Sequence, residues 1–325
     1  MNVLVTGGAG YIGSVTTAGL LAQGHHVTVL DNLSSGHRKA VHPDARFIQG
    51  DISDKSVIRG VCRDEIDVVM HFAAFIEVGE STINPSKYYD NNLIKSIRFL
   101  DNLREADVNR LVFSSTAAVY GEPERIPLEE NAALRPVNPY GKSKMVVEQV
   151  LEDYDRAYNF KSISLRYFNA GGAFGPYGED HNPESHLIPL IIDAALNSSP
   201  LKVFGNDYDT SDGSCIRDYI HVRDLAEAHI LAAGYLCKGG CTDYFNLGTG
   251  RGYTVLEVIK TAEKITGKSI NLEITGRREG DSAVLVASPK KAKHVLGWNK
   301  QLASLEEIIG SAWEWRKQNI NGYRE

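Results

Sequence analysis

The chain has 325 residues, of which 42% are hydrophobic and 23% are charged, a balance typical of globular proteins that bury a large core. Its formal net charge of -6 gives no broad basic field, which disfavours nucleic acid as a partner. No apolar run is long enough to span a bilayer and no signal-peptide pattern follows Met1, so we expect a cytoplasmic protein without membrane contacts.

The first half of the chain alternates short β-branched apolar runs with amphipathic stretches, the pattern of β-α units that build a parallel sheet. Strands are predicted over residues 2–6, 26–30, 46–49, 67–71, 110–114 and 162–167, and long helices over 85–105 and 139–158. These elements predict an α/β fold with an open, doubly wound parallel Rossmann sheet.

Near residues 171–183 the composition changes to Gly, Pro, Asp and His, which is typical of a ligand-facing connection or a domain boundary. Beyond this point, helices are predicted over 187–196, 222–236, 255–266 and 305–318, and short strands over 202–204 and 271–274. We therefore expect a Rossmann domain over residues 1–170 and a smaller mixed α/β domain over 171–325, some segments of which return to the first domain.

Three glycines follow the first predicted strand and open a helix. Gly7, Gly10 and Gly13 form a G-x-x-G-x-x-G spacing, a variant of the dinucleotide fingerprint. Glycine permits a tight turn and a close approach of the backbone to a diphosphate, whose charge a helix N-terminus stabilises. The alternative is a glycine-rich turn without a ligand, but the position at the first strand–helix junction favours the dinucleotide site.

Carboxylates at two later strand ends indicate which dinucleotide binds. Asp31 ends the second predicted strand about twenty residues after the loop, where it can accept both ribose hydroxyls of NAD and repel the extra phosphate of NADP. The neighbouring His37, Arg38 and Lys39 could receive that phosphate, so NADP stays an alternative. Asp51, after the third strand, could contact the adenine amino group or could merely cap a helix.

A hydroxyl-rich segment, Ser114 to Gly121, follows the fifth predicted strand, and a Tyr and a Lys lie near the start of the next helix. Tyr140 and Lys144 share one helix face, so an ammonium beside the phenol is expected to lower the phenol pKa from about 10. Such a tyrosine can exchange protons near neutral pH. Lys144 could also hydrogen-bond the nicotinamide ribose, and Thr116 could share a hydrogen bond with the same sugar hydroxyl. A Tyr and a Lys at this spacing more often form a solvated face, but all these segments converge on one sheet edge.

Motifs along nearly the whole chain carry a resemblance to a known family. They are residues 7–13, 31–32, 50–52, 71–74, 78–81, 88–92, 114–121, 139–144, 166–169, 204–208, 217–222, 246–250 and 277–281. On these residues the chain resembles the extended short-chain dehydrogenase/reductase superfamily, and within it the UDP-glucose 4-epimerases, also called UDP-galactose 4-epimerases. The resemblance implies tightly held NAD and interconversion of UDP-galactose and UDP-glucose through a transient 4-keto sugar.

The same resemblance implies a role for each site residue. Tyr140 would take the proton of the sugar 4-hydroxyl while C4 gives its hydride to NAD, with Lys144 as electrostatic partner and Thr116 as the third catalytic residue. The implied cofactor-binding residues are Gly7, Gly10, Tyr11, Ile12, Gly13, Asp31, Asn32, Asp51, Ile52, Phe72, Ala73, Ala74, Asn91, Ser114, Tyr140, Lys144 and Tyr167. The implied substrate-binding residues are Thr116, Tyr140, Asn169, His186, Leu187, Phe204, Arg217, Arg278, Asp281 and Leu285. The keto-sugar would swing about its diphosphate link before the hydride returns to the other face.

Three positions depart from the family pattern. Phe75-Ile76-Glu77 stands where many relatives carry a Lys, so we expect one clamp on the cofactor ribose or phosphate to be missing. His186 replaces a frequent Asn beside the uridine-phosphate site. Leu285 occupies a position where side-chain bulk is associated with excluding an N-acetyl group, and Leu is intermediate in volume. UDP-glucose and UDP-galactose are therefore the expected main pair, and turnover of UDP-N-acetylhexosamines stays open.

Other functions are compatible with such a fold. A sugar-nucleotide 4,6-dehydratase would carry Asp-Glu after Thr116, where this chain has Ala117-Ala118. A non-catalytic, NAD-sensing regulator would commonly lack the Tyr140 and Lys144 pair. Both features favour an epimerase over these alternatives, and a purely structural protein is the least favoured.

The sequence also bears on quaternary structure and on metal binding. The helices predicted over 85–105 and 139–158 resemble those that form an intersubunit four-helix bundle in this family, so we expect a homodimer, although their apolar stripes could equally be intramolecular core. The four cysteines have no C-x-x-C spacing, so we expect ordinary thiols and no metal site.

Overall fold

The structure is a computed structural model that describes residues 1–278, 281–302 and 304–323. Glu279 and Gly280 of the last motif above lie outside the described residues. The largest sheet consists of β1 (Asn2–Thr6), β2 (His26–Asp31), β3 (Arg46–Gln49), β4 (Val68–His71), β5 (Arg110–Thr116), β6 (Lys161–Tyr167) and a strand from late in the chain, β10 (Asp243–Leu247).

All pairings in this seven-stranded sheet are parallel, and the spatial order is β10-β6-β5-β4-β1-β2-β3. The order reverses between β1 and β4, which is the point where open α/β sheets bind ligands beyond the carboxyl ends of their strands. All six strands predicted for the first half are present, and the doubly wound Rossmann architecture is confirmed. The seventh strand, β10, is not among the predicted ones.

Helices cover both faces of the large sheet. The described helices are α1 (Tyr11–Ala22), α2 (Lys55–Val61), α3 (Val78–Ile83), α4 (Pro85–Tyr88), α5 (Lys95–Glu105), α6 (Pro139–Tyr158), α7 (Leu187–Asn197), α8 (Val222–Cys237), α9 (Val255–Thr266) and α10 (Leu305–Gln318). Of these, α7, α9 and α10 form a separate core and do not belong to the covering of the large sheet. A π-helical segment over Tyr89–Ile94 joins α4 to α5, so the predicted helix over 85–105 is continuous but wider in its middle turn.

Local signals account for the bounds of α6. The side chain of Asn138 accepts a hydrogen bond from the N–H of Gly141 at 2.8 Å, and Pro139 occupies the first turn, where its missing N–H costs nothing. Asn159 ends the helix in the left-handed conformation with φ of 56°. These local signals determine where α6 begins and where it ends.

Alternate residues of each central strand pack against different layers, as the two-residue period of a strand requires. Val3 and Val5 join a core that includes Leu225 and Ala232 of α8, whereas Leu4 joins a core that includes Phe99 of α5. Helix α8 therefore returns from the second half of the chain to cover the large sheet.

The remaining strands form two small sheets. They are β7 (Asn169–Gly171), β8 (Leu201–Phe204), β9 (Ile216–His221), β11 (Gly252–Thr254), β12 (Leu272–Thr275) and β13 (Val284–Leu285). Strand β9 pairs with β7, β11 and β13, while β8 pairs with β12. Helices α7, α9 and α10 contribute a separate core beside these sheets. Within the described ranges, no helix has the length and apolar character needed to cross a membrane.

Candidate active site

The glycine loop after β1 has a shape that side chains would obstruct. Gly7 has a φ of 74°, and a Cβ built on it would lie 2.6 Å from the backbone N of Ala73, which follows β4. A Cβ on Gly13 would lie 2.3 Å from the carbonyl oxygen of Gly7. Both contacts are closer than real Cβ atoms tolerate, so the loop needs glycine at these two positions.

Helix α1 begins without a side-chain cap among the described residues, and its first turn carries no acidic group. Its N-cap is Gly10, where a Cβ would meet only the Gly7 carbonyl oxygen, at 3.3 Å. The first N–H groups of a helix have no intrahelical partner, so this end can stabilise an anion such as a diphosphate. The backbone of Tyr11, Ile12 and Gly13 belongs to this turn, while the Tyr11 hydroxyl donates to the Gly172 carbonyl at 2.6 Å.

Asp31 is held rigidly at the carboxyl end of β2. Its carboxylate accepts hydrogen bonds from the N–H groups of Ala9 at 3.0 Å and Leu33 at 2.8 Å, and the residue is only 8% exposed. Burial raises its pKa although both hydrogen bonds oppose the rise. His37 instead contacts the Asp180 carbonyl, and the Arg38 guanidinium lies over the Phe47 ring. This arrangement fits a ribose better than a ribose phosphate.

Asp51 does not cap the following helix; Asp54 does, by accepting from the N–H groups of Ser56 and Val57. Asp51 accepts from Lys95 at 2.8 Å and from the Asn32 amide at 3.3 Å. Burial disfavours its ionisation, but the hydrogen bonds from Lys95 and Ser53 prevail and lower its pKa to about 2. A charged acceptor is thus available beside the cofactor loop.

The Ile52 side chain packs in the core that includes Leu4, so its backbone is the part that could contact a cofactor.

The segment after β4 lies next to the glycine loop. Phe72 donates its N–H to the Thr6 carbonyl, and its ring centroid lies 4.6 Å from that of His229 on α8. The connection from Ala73 and Ala74 onward is fixed by Asn92, whose side chain both donates to and accepts from the backbone of Phe75. The sequence analysis assigned Asn91 to the cofactor site. The Asn91 amide donates to the Asn92 side chain at 3.1 Å, and it is the buried Asn92 that holds the Phe75 backbone.

The three predicted catalytic residues converge at one edge of the sheet. Thr116 ends β5, and Tyr140 and Lys144 occupy the first two turns of α6, which packs against β5. The Thr116 hydroxyl lies within hydrogen-bonding reach of the Tyr140 phenol and accepts from the N–H of Ala118 at 3.1 Å. Lys144 donates to the Ser114 carbonyl at 2.8 Å and is 2% exposed.

The protonation states differ from the sequence expectation. Burial raises the pKa of Tyr140 to about 12, and the hydrogen bond with Thr116 offsets only part of this rise, to which Glu77 also contributes. Burial also lowers the pKa of Lys144 to about 7, against the influence of Glu148. The predicted lowering of the Tyr140 pKa is therefore wrong for the protein without ligands, because desolvation of the buried phenol dominates the shift.

Tyr167 completes this edge. Its hydroxyl forms a short hydrogen bond with the Ser114 hydroxyl, and its ring lies 5.9 Å from the ring of His229. Behind it, Arg166 pairs with Glu148 of α6 in a buried ion pair that ties β6 to the helix carrying Tyr140. Sequence reasoning quoted Arg166 within a motif but gave it no role; a charged residue in the middle of a predicted buried strand was the available signal.

Four predicted substrate residues come together around β9 and the segment before β13. Arg217 on β9 donates to the Ser282 carbonyl at 2.7 Å and to Asp281 at 3.3 Å. Asp281 also lies 3.8 Å from Arg278, whose guanidinium carbon is 4.4 Å from the centre of the Phe204 ring. Two cations and one aromatic face therefore adjoin each other, which suits a diphosphate attached to a flat base.

Leu285 and Asn169 flank this group. Leu285 pairs in register with Arg217 and packs against a cluster that contains Ala117, the residue after Thr116. The Asn169 amide donates to the Asp218 carbonyl at 3.0 Å. Leu285 therefore contacts both the strand that carries Arg217 and the cluster next to Thr116.

His186 and Leu187 stand at the start of α7. Leu187 packs against the core beside the small sheets. The imidazole Nδ1 of His186 lies 2.7 Å from a carboxylate oxygen of Glu179, which is not one of the predicted substrate residues.

Comparison with known proteins identifies the family. The model of the NAD dependent epimerase/dehydratase family matches residues 3–248. The chain belongs to this family. A UDP-glucose 4-epimerase of Lactobacillus helveticus is 48% identical over 329 aligned residues, with 100% of both chains covered.

Two solved structures show the same fold. A UDP-glucose 4-epimerase from Brucella ovis in complex with NAD superposes with a TM-score of 0.94 at 44% identity, covering 96% of this chain and 97% of that one. A UDP-Glc/GlcNAc 4-epimerase from Campylobacter jejuni superposes with a TM-score of 0.86 at 41% identity, covering 98% and 99%. The resemblance inferred from the motifs is confirmed.

Proposed function

We propose that the chain is an NAD-dependent UDP-sugar 4-epimerase that interconverts UDP-galactose and UDP-glucose. The observation that carries the proposal is the convergence of Thr116, Tyr140 and Lys144 at the carboxyl edge of the parallel sheet, where a loop shaped for a dinucleotide also follows β1. Bound NAD supplies a positive ring that accepts the hydride from C4 of the sugar and returns it after the keto-sugar has turned.

The residues around the loop fit NAD. The uncapped start of α1 would hold the diphosphate, Asp31 the adenosine ribose and Asp51 the adenine edge. Lys144 would hold the nicotinamide ribose, since its ammonium already lies at the end of β5 with a carbonyl partner. The fit rests on the glycine contacts, because any side chain at Gly7 or Gly13 would push the backbone out of this shape.

Tyr140 moves the proton of the reaction. Its phenol is buried, with a pKa of about 12, so it carries its own proton in the protein without ligands. It can accept the proton of the sugar 4-hydroxyl only as the phenolate, which positive charge beside it would stabilise. Lys144 contributes such a charge, and its own pKa of about 7 lets it share the proton near neutral pH. The Thr116 hydroxyl orients the phenol and the sugar 4-hydroxyl.

Arg217 and Arg278 would anchor the UDP diphosphate, with Phe204 against the nucleoside and Asn169 as a further hydrogen-bond donor. Firm anchoring of UDP with few contacts to the hexose permits the keto-sugar to rotate and present its other face. Ala117 and Ala118 supply neither an acid nor a base next to Thr116, which argues against dehydration as the reaction.

The test is incubation of the purified protein with UDP-galactose, without added cofactor, while UDP-glucose formation is followed by chromatography. Tyr140→Phe should abolish turnover. Tyr158→Phe, at a half-exposed position of the same helix, is the matched control and should keep it. Absence of turnover in the parent protein, even after NAD is supplied, would remove the assignment.

A second substrate pair is tested in the same assay. The Campylobacter jejuni neighbour is named as a UDP-Glc/GlcNAc 4-epimerase, and Leu285 is smaller than an aromatic residue at the position expected to limit the N-acetyl group. We therefore propose interconversion of UDP-GlcNAc and UDP-GalNAc as an additional, slower activity. Turnover of UDP-GalNAc by the parent protein decides it.

We also propose a homodimer that works in the cytoplasm in galactose metabolism. Ile94, at 44% exposure, lies on the helical segment 85–105 that is expected to pair between subunits, and light scattering after gel filtration measures the resulting mass. Cys62, Cys215, Cys237 and Cys241 are all free thiols, which fits a reducing compartment.

In this scheme residues 1–170 bind NAD and residues 171–325 bind the UDP-sugar, while α8 and β10 return to the large sheet.

A further inference from the structure

A cluster of two imidazoles and two carboxylates lies in the connection that leads to α7. It consists of Glu179, His181, Glu184 and His186, and one ligand atom from each lies within 4.8 Å of the other three. None of its members except His186 has a place in the proposed epimerase site.

The spacing of these atoms matches a four-coordinate metal ion. Metal–ligand distances of about 2.0 to 2.2 Å in a tetrahedral site put neighbouring ligand atoms about 3.3 to 3.6 Å apart. Here the Nδ1 atoms of His181 and His186 lie 3.4 and 2.7 Å from Oε1 of Glu179. They lie 3.8 and 3.5 Å from the two carboxylate oxygens of Glu184. Shifts of about 1 Å or less in these separations would therefore let the two Nδ1 atoms, Oε1 of Glu179 and Oε2 of Glu184 enclose one ion.

The two Nδ1 atoms are withdrawn from solvent and face the carboxylates of Glu179 and Glu184. Neither His181 nor His186 makes an aligned hydrogen bond through Nδ1 to any described residue, although carboxylate oxygens lie close by. Buried nitrogen atoms without hydrogen bonds are rare in folded proteins and call for a ligand or an ion. The carboxylate of Glu179 is likewise withdrawn from solvent, with 7% of its side chain exposed.

The carboxylate of Glu184 is positioned in advance. Its Oε1 accepts hydrogen bonds from the N–H groups of Ser185 at 2.7 Å and His186 at 2.8 Å, which leaves Oε2 for an ion. A cavity of about 30 Å³ adjoins Glu179, His181 and Glu184, enough for one water or ion to enter. Ligands of this kind, imidazole nitrogen and carboxylate oxygen in a four-coordinate arrangement, suit Zn²⁺.

We propose that Glu179, His181, Glu184 and His186 bind one divalent transition metal ion, with Zn²⁺ as the best match. Four protein ligands leave no open position for a substrate, so the ion is structural. It ties the connection after Glu179 to the start of α7, next to Tyr11, whose ring lies 6.4 Å from that of His181 and which begins the first turn of α1. Cysteine spacing could not reveal this site, because its ligands are His and Glu.

The experiment uses the intact protein with its cofactor, stripped of metal by a chelator and then titrated with CoCl₂. Tetrahedral Co²⁺ absorbs strongly in the visible range, so the parent protein should develop a visible band that saturates at one Co²⁺ per chain, and ZnCl₂ should displace it. Zn²⁺ should also raise the thermal midpoint of the stripped protein.

His181→Gln should lose the band, and His42→Gln is the matched control that should keep it, since His42 pairs with Asp44 and is not one of the four proposed ligands. His186→Gln, at a more exposed ligand, is the second variant and should also lose the band. Circular dichroism confirms folding. No band and no retained Zn²⁺ in the parent protein would overturn the proposal and leave a hydrogen-bonded ionic cluster; so would an unchanged band in a folded His186→Gln variant.

Discussion

Replacing Glu148 by Gln is expected to destabilise the fold more than any comparable change on the surface of α6. The Glu148 carboxylate accepts from Arg166 Nε at 3.0 Å and from Nη2 at 2.6 Å, and the two side chains are 2% and 3% exposed. It also accepts from the Ser115 hydroxyl at 2.5 Å. The Glu148→Gln substitution would leave the Arg166 charge buried without a counter-ion.

The magnitude follows from this burial. Removing one partner of a buried ion pair costs about 3 to 5 kcal/mol, and the remaining amide oxygen keeps the loss near the lower value, about 3 kcal/mol. For a cooperative transition of a chain with 325 residues, about 3 kcal/mol corresponds to a fall in Tm of about 4 to 5 °C.

The assay is thermal unfolding followed by circular dichroism, with NAD content held equal between samples. Asp153→Asn is the matched control, since Asp153 pairs with Arg156 on the exposed face of the same helix and should leave Tm unchanged. The double variant Glu148→Leu with Arg166→Met should recover much of the stability, because it removes both charges. A Glu148→Gln protein within about 1 °C of the parent would refute the reasoning.

Three further predictions concern the cofactor loop, a buried histidine and substrate range. Gly13→Ala should purify without bound NAD, measured after denaturing extraction, because its Cβ would lie 2.3 Å from the Gly7 carbonyl oxygen. Burial lowers the pKa of His229 from 6.5 to about 4, so the unfolded chain binds more protons between these values and stability falls as pH drops through that range. The loss is about 2 kcal/mol at pH 5, and His229→Leu should remove it in urea unfolding at pH 7 and pH 5. Leu285→Tyr should lower kcat/KM for UDP-GalNAc about tenfold relative to UDP-galactose, because a larger side chain opposite Arg217 would crowd the N-acetyl group.

Each of these has an outcome that contradicts it. Gly60→Ala, at a helical position where a Cβ meets no atom within 4 Å, is the control for the loop, and equal NAD loss in both variants would contradict the steric argument. An equal loss of unfolding free energy between pH 7 and pH 5 in the parent and in His229→Leu would contradict the second prediction. An unchanged substrate ratio would contradict the third.

Several features could be read from local sequence because their causes are local. The loop from Gly7 to Gly13 is defined by conformations that only glycine permits, and α6 is bounded by its own cap and terminal residue. Short apolar runs between amphipathic stretches similarly predicted the six early strands, and four-residue spacing put Tyr140 and Lys144 on one helix face.

Other features depend on residues far apart in the chain, so no local pattern contains them. The assignment of β10 to the large sheet follows from pairing with β6, and it brings Asn246 to the hydroxyl of Tyr120. The Tyr140 pKa is raised because the fold buries the phenol deeply, and spacing from Lys144 along the helix did not reveal this. The same is true of His186. The family resemblance assigned it to the uridine-phosphate site, whereas tertiary contacts place its imidazole against Glu179.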